Sequence, residues 1–180
     1  MKIIFSSCTE DELWRFVATH LQKKGIDTIL VGGAVVSIYS DGAYRSGDLD
    51  FVLNTFLRDG LDEAMEDIGF VKKGTRHFIH PECKHLFVEF PGGPPLGIGE
   101  DYTIIPEEIE SEGVKIKILS PTDCVKDRLA NYIHFKSREC FDQAVMVARK
   151  HPINYESVKK WCEGEHSPST FEALVEKLKS

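Results

Sequence analysis

No run of apolar residues in this chain approaches the ~20 that a bilayer-spanning helix needs, so no membrane partner is expected. No Cys-x-x-Cys pair occurs either. The five cysteines, Cys8, Cys83, Cys124, Cys140 and Cys162, are odd in number and widely spread. That pattern argues against a disulfide framework and fits a reducing compartment. The apolar stretch within residues 1–7 is too short for a signal peptide, so a cytoplasmic location is expected. Positive charge is short as well: 22 Lys and Arg face 29 Asp and Glu, a net charge of −7. Phosphate contacts dominate nucleic-acid affinity, so a general nucleic-acid binder fits poorly. Residues 71–90 run the other way, with four basic and two acidic side chains plus His77, His80 and His85. A local basic face is compatible with that stretch. Internal repeats and low-complexity tracts are absent. The glycines Gly92, Gly93, Gly97 and Gly99 interleave with prolines and precede no helix closely, so they do not make a P-loop. They open a long loop that follows an apolar strand and is positioned to gate a site beside it.

What is present suffices for a core. At 180 residues and 42% hydrophobic, the chain fits one domain, or one domain with a small appendage. Thr9 and Glu12 have the spacing of a capping box, followed by Leu13, Phe16, Val17 and Leu21 at helical period and Gly25 as a stop. A short buried strand is expected over 28–31, a helix over 34–40, a strand over 48–54 and a helix over 56–68. Three meandering strands follow over 70–73, 76–80 and 85–90, and a last strand over 114–119. Ser120, Pro121 and Asp123 start a helix strongly, by cap, by first-turn proline and by dipole. Helices then run over 121–135, 138–150, 154–162 and 168–178. The fold class is therefore α+β: a mixed β-sheet flanked by helices, with a helical C-terminal segment. A mixed-sheet core over 1–119 and a helical segment over 120–180 are the expected divisions. Trp14 and Trp161 sit at helical spacing and read as core.

The chemistry concentrates in one stretch. Gly32-Gly33 follows the apolar strand Ile29-Leu30-Val31, and Asp48 and Asp50 bracket Leu49 at the head of the next strand. A glycine turn lets backbone N–H groups approach a phosphate closely. Carboxylates at i and i+2 on a strand share one face. Held together they raise each other's pKa unless a cation compensates. Mg²⁺ suits such a pair, since it binds through one or two carboxylates plus substrate phosphates. Glu89 is a third acid, on the otherwise apolar strand that contains Leu86, Val88 and Phe90. It is costly to bury there unless paired or metal-bound. Asp48, Asp50 and Glu89 together make a three-carboxylate site able to hold two metals.

These residues resemble the nucleotidyltransferase superfamily with the DNA polymerase β-like palm. Its pattern is a hydrophobic strand, Gly-Gly or Gly-Ser, a helix, Asp-x-Asp on a strand and a third acid on a later strand. The match falls on Gly32-Gly33, Asp48, Asp50 and Glu89. Within the superfamily the chain is similar to minimal bacterial enzymes related to abortive-infection and toxin–antitoxin nucleotidyltransferases. Arg45-Ser46-Gly47-Asp48-Leu49-Asp50 resembles their Arg-x-Thr-x-Asp-apolar-Asp, with Ser46 in the Thr position. Ser120-Pro121-Thr122-Asp123 resembles their C-terminal helix opening. Two departures stand out: the turn serine is absent, since Ala34 follows Gly33, and the helix lysine is Arg128, a fork rather than a point charge.

The resemblance implies a metal-dependent enzyme that moves a nucleoside monophosphate from an NTP to an acceptor, with release of pyrophosphate. Asp48, Asp50 and Glu89 would be catalytic and would hold Mg²⁺ or Mn²⁺. Gly32, Gly33, Arg45, Ser46 and Arg128 would contact the nucleotide. For Arg45 the alternative is a pair with a surface acid, and for Arg128 a helix-surface charge. The acceptor is a small molecule, RNA or protein; an antitoxin is a further candidate partner. Rival readings are an antibiotic-modifying adenylyltransferase, an inactive binding or regulatory protein on this fold, and a toxin of a toxin–antitoxin pair.

Two further clusters invite a reading. His77, His80, Cys83 and His85 suit zinc by type but match no standard finger spacing. Strand alternation sends His77 and His80 to opposite faces, and solvated or substrate-contacting groups are the expectation. Glu139 and Asp142 match a supporting acid pair of the family only weakly, and a capped amphipathic helix accounts for them.

Overall fold

The computed structural model describes residues 2–54, 59–92 and 96–180. Among these, seven helices and seven strands alternate unevenly. Helix α1 (Glu10–Lys23) starts at Thr9, whose hydroxyl accepts from the Glu12 amide while the Glu12 carboxylate accepts from the Thr9 amide. Gly25 follows with φ +80°, the left-handed turn a helix stop commonly uses. Strand β1 (Thr28–Val31), helix α2 (Gly33–Tyr39) and strand β2 (Asp48–Leu53) come next.

Helix α3 spans Leu61–Glu66, a shorter element than the 56–68 expected. Residues 55–58 lie outside the described residues. Gly60 adopts φ +76° immediately before the helix, a conformation no right-handed helix contains. The meander follows as β3 (Val71–Lys73), β4 (His77–His80) and β5 (Cys83–Glu89). Strand β5 begins two residues earlier than expected, because Pro81 and Glu82 alone make the turn.

Strand β6 (Glu107–Ser111) has no counterpart in the expectations. Its Glu-Glu-Ile-Glu-Ser sequence offers one apolar residue, so no alternation signal exists. It forms an antiparallel hairpin with β7 (Val114–Ile118), the last strand, through Glu112 and Gly113, both at positive φ. It lies at the sheet edge, where charged, exposed side chains discourage pairing with another chain. Four helices complete the chain: α4 (Pro121–Phe135), α5 (Arg138–Lys150), α6 (Tyr155–Gly164) and α7 (Pro168–Lys179).

The strands form one mixed sheet in the order β3-β4-β5-β2-β1-β7-β6. Strands β1 and β2 pair antiparallel, while β2 with β5 and β1 with β7 pair parallel. Alternation on β2 buries Leu49, Phe51 and Leu53. On β5 it buries Leu86 and Val88, with Phe90 just beyond. Each such side chain stabilises the fold by about 1.5–3 kcal/mol. The opposite alternation leaves Asp48, Asp50 and Glu89 on the other face. Helix α1 packs on β1 and β7, α2 on β1 and β2, and α5 on α2 and α4. His151 and Lys150 fasten the end of α5 to the end of α2 by bonds to the Tyr39 and Ser40 carbonyls. Both tryptophans are buried, and the Trp161 indole donates to the Ile98 carbonyl. No described helix is long and apolar enough to cross a membrane.

Candidate active site

Val31, the last residue of β1, is the register partner of Asp50. The chain then turns sharply at Gly32, with φ +76° and ψ −153°. A Cβ on Gly32 would stand 2.5 Å from Asp50 Oδ2. A Cβ on Gly33 would stand 2.8 Å from Ser46 Oγ and 3.5 Å from the Tyr44 hydroxyl. The two glycines therefore let the backbone run directly beneath one carboxylate and two hydroxyls. The space that a side chain on residue 33 would need is already held by Ser46.

Ser46 Oγ donates to Asp48 Oδ1 at 2.8 Å. The Ser46 amide donates to Glu10 Oε1 at 3.0 Å, and Arg45 Nη1 donates to Glu10 Oε2 at 2.9 Å. Glu10 is buried at the start of α1 and needs such partners. Arg45 is thus engaged on the buried Glu10, rather than on a surface acid, and it lines a cavity with Thr9, Glu10 and Ser46.

Asp50 and Glu89 are register partners across the parallel β2–β5 pair, and Asp48 partners Phe87. Burial raises the Asp50 carboxyl to about 7, with the Asp48 and Glu89 charges adding to the effect. Arg128 offsets part of it, and Asp127 opposes Arg128. Glu89 is in contact with the ring Nε2 of His77, its register partner on β4, and Arg76 Nε lies 3.9 Å from it.

From α4, Arg128 acts on Asp50 through its charge. Its Nε and Nη2 bond Asp127 Oδ2 at 3.0 and 2.5 Å, and Nη1 reaches Gln143 Oε1 on α5 at 3.4 Å. Burial works against its charge, but the charge and hydrogen bonds of Asp127 outweigh that and raise its pKa, so the guanidinium is permanently cationic. The Tyr44 hydroxyl is held above its ordinary pKa by burial and by Glu139, with Arg128 acting the other way and Asp48 adding to the rise. Glu139 therefore stands near the site, where it also accepts from Gln143. Asp142 faces a separate cavity of about 470 Å³ with Tyr132, Arg138 and Lys177. The α5 N-terminus is capped by Ser137.

Tyr44, Arg76, Asp127 and Gln143 were not singled out from the sequence, and His77 was read only as part of the histidine–cysteine stretch. Only the pairing of β4 with β5 reveals that His77 meets Glu89. Of the other residues in the histidine–cysteine stretch, His80 is buried and stacked on Phe5 with ring centroids 3.6 Å apart. Cys83 and His85 turn together toward Cys8. In the loop after β5, Gly93, Pro94 and Pro95 lie outside the described residues. Its later part is tied down: Ile98 and Asp101 bridge each other, and the Glu100 amide donates to Glu165.

The donor types fit a divalent cation: Asp50 is a half-buried carboxylate with the charges of two more, Asp48 and Glu89, acting on it, and a bound cation is the usual compensation. The three acids do not gather within 4.8 Å as Cys8, Cys83 and His85 do, so a cation would draw them closer.

No protein-family model matches the chain. No curated protein matches it in sequence. Solved structures do resemble it. An antigenic nucleotidyltransferase-like protein from Paracoccidioides brasiliensis superposes with a TM-score of 0.60 at 18% identity, over 92% of this chain and 91% of that one. The antibiotic-resistance factor ANT(2'')-Ia superposes in solution with a TM-score of 0.54 at 13% identity, over 93% and 95%. The same factor in complex with adenylyl-2''-tobramycin gives 0.51 at 12% identity, over 90% and 96%. At these identities the likeness establishes the fold, which is nucleotidyltransferase-like α+β, as the sequence resemblance implied.

Proposed function

We propose that this chain, which has the nucleotidyltransferase-like fold, transfers a nucleoside monophosphate from an NTP to an acceptor hydroxyl and releases pyrophosphate. The observation that carries this reading is the Asp48–Asp50–Glu89 face beside the Gly32-Gly33 turn. Three carboxylates on adjacent strands, one of them raised to about 7 by its surroundings, form a cation-seeking site. A divalent ion bound there, Mg²⁺ or Mn²⁺, supplies neutralisation of the charge that develops on the α-phosphate and the leaving pyrophosphate.

The chain's own residues do the rest. The turn at Gly32-Gly33 offers backbone N–H groups to the triphosphate. Ser46 orients Asp48. Arg128 brings a permanent positive charge to the site and serves the phosphates, in the role the family gives to lysine. The acceptor oxygen bonds to the α-phosphorus as the bond to the β-phosphate oxygen breaks. Glu89 takes the acceptor's proton, and His77 holds the Glu89 carboxylate in place.

Arg45 is assigned to Glu10 in this reading, not to the nucleotide. The inactive-fold alternative gains if Asp48 and Glu89 lie too far apart to share cations. Asp50 pairs directly with Glu89, whereas Asp48 pairs with Phe87, so the separation of Asp48 from Glu89 is the point on which the two readings divide.

The test is incubation with each NTP labelled at the α-phosphate, Mg²⁺ and a cell lysate, beside the Asp48→Ala/Asp50→Ala variant. Label transfer that the variant abolishes supports the assignment. Transfer unchanged in the variant sinks it. Absence of both transfer and NTP binding by calorimetry favours the inactive-fold alternative.

A further inference from the structure

Away from the carboxylates, Cys8, Cys83 and His85 converge. Their donor atoms lie within 4.8 Å of one another. Cys83 and His85 are i and i+2 on β5, so they share a face. Cys8 reaches them from the residue before the α1 cap. It is held there by a turn, with the Ser7 amide on the Ile4 carbonyl and the Cys8 thiol on the Phe5 carbonyl. Both sulfurs are buried.

The distances suit one tetrahedral ion. Cys8 Sγ and Cys83 Sγ are 3.9 Å apart, and Cys83 Sγ and His85 Nδ1 are also 3.9 Å apart. A tetrahedral Zn²⁺ with bonds of about 2.3 Å to sulfur and about 2.0 Å to nitrogen sets these edges at roughly 3.8 and 3.5 Å. A disulfide would need the sulfurs to close to about 2.05 Å and would leave the imidazole without a part.

The imidazole is already poised. His85 Nε2 lies 2.8 Å from the Cys8 carbonyl oxygen. A carbonyl only accepts, so Nε2 carries the hydrogen. In the neutral ring Nδ1 is then a bare lone pair, and Nδ1 is the atom beside Cys83. A metal-binding histidine commonly has its second nitrogen tied to a backbone carbonyl in this way.

We propose that Cys8, Cys83 and His85 bind one Zn²⁺, with water as the fourth ligand, as a clip fastening the α1 N-terminus to β5. Thiolate and imidazole donors select a borderline-soft ion of this kind. The fourth position opens on a cavity of about 390 Å³ lined by Ser6, Ser7, Thr9 and Leu86. The ligands Cys8 and Cys83 are 75 residues apart, and closing so long a loop restrains the unfolded chain. The clip also bears on the active site. Cys8 is two residues from Glu10, which holds the Ser46 amide, and Ser46 holds Asp48.

The test is elemental analysis of the full chain purified from zinc-supplemented cells, followed by cobalt exchange. About one zinc per chain is expected, retained in Cys140→Ser and in Asp50→Asn but lost in Cys83→Ser and His85→Ala. The cobalt form is expected to show thiolate-to-metal charge transfer and tetrahedral d–d bands. Circular dichroism checks folding, and His85→Cys guards against a merely unfolded variant: it keeps the ion and raises the charge-transfer intensity by about half, with three thiolates in place of two. Zinc absent from the wild-type chain overturns the proposal. So does zinc unchanged in Cys83→Ser, or a Cys8–Cys83 disulfide found by non-reducing mass spectrometry. None of these readings depends on nucleotidyl transfer.

Discussion

Asp50 on β2 and Glu89 on β5 are register partners in a parallel pair, with the Gly32 turn lying beneath Asp50. Neighbouring strands are about 4.8 Å apart, so two acids meet there with a third, Asp48, one pleat away. Nearby groups answer only part of this charge. The His77 ring and the Arg76 guanidinium serve Glu89, and Arg128 is shared with Asp127. Burial raises the Asp50 carboxyl to about 7, and the Asp48 and Glu89 charges add to the rise.

Asp50→Asn should separate activity from stability. Transfer is expected to fall by roughly 10²-fold or more, because a metal-binding carboxylate is gone. The metal-free protein is expected to gain about 1 kcal/mol, near 2–4 °C in Tm for a chain of this size. Label transfer and a thermal melt in chelator read the two effects. A variant that is less stable and fully active would overturn the assignment.

The pH dependence follows from the same group. In the unfolded chain the Asp50 carboxyl ionises in the ordinary carboxylate range, whereas in the folded chain it keeps its proton to about 7. Between those values the folded state binds more protons, so metal-free stability is expected to fall as pH rises through that window. Mg²⁺ reverses the trend, since it holds the carboxylate ionised, and its affinity weakens as pH drops below about 7. Urea unfolding at about pH 5 and about pH 8, with and without Mg²⁺, reads the sign.

Gly33 and Ser46 should be coupled. Gly33→Ser introduces a Cβ where Ser46 Oγ sits, 2.8 Å away, and is expected to cost about 1–3 kcal/mol. Ser46→Ala alone frees Asp48 and is expected to weaken Mg²⁺ binding by about 10–100-fold. The double variant restores a hydroxyl to the turn and should be more stable than Gly33→Ser alone. A strictly additive double-mutant cycle would refute the shared space.

Arg45 and Arg128 should differ in kind. Arg45→Ala is expected to lower stability by about 1–3 kcal/mol, through the buried Glu10 it serves, while leaving KM for the NTP within about two-fold. Arg128→Lys is expected to raise that KM by about ten-fold or more, since the bidentate fork is lost. Steady-state kinetics on both variants distinguishes the roles. An NTP KM raised more by the Arg45 change would reverse them.

Much of this was legible along the chain. The capping box at Thr9 and Glu12, the Ser120-Pro121 helix start and the alternation around Leu49 and Phe51 are local signals, and each specified its element closely. β6 was not legible, because a charged edge strand with the single apolar residue Ile109 has no alternation to read. Gly60 lies within an expected helix and begins a shorter one, since its positive φ ends any helix that reaches it.

By itself the sequence determined which side of each element is apolar, and hence that Asp48 and Asp50 share a face away from the core. Only the tertiary structure decided what stands opposite them. It set Glu89 beside Asp50, His77 on Glu89, Arg45 on Glu10 and the Arg128 charge near enough to act on Asp50. It also brought Cys8 to Cys83 and His85 from 75 residues away. Side-chain periodicity is a property of neighbours along the chain, whereas partners across strands depend on register and sheet order, which non-local packing sets.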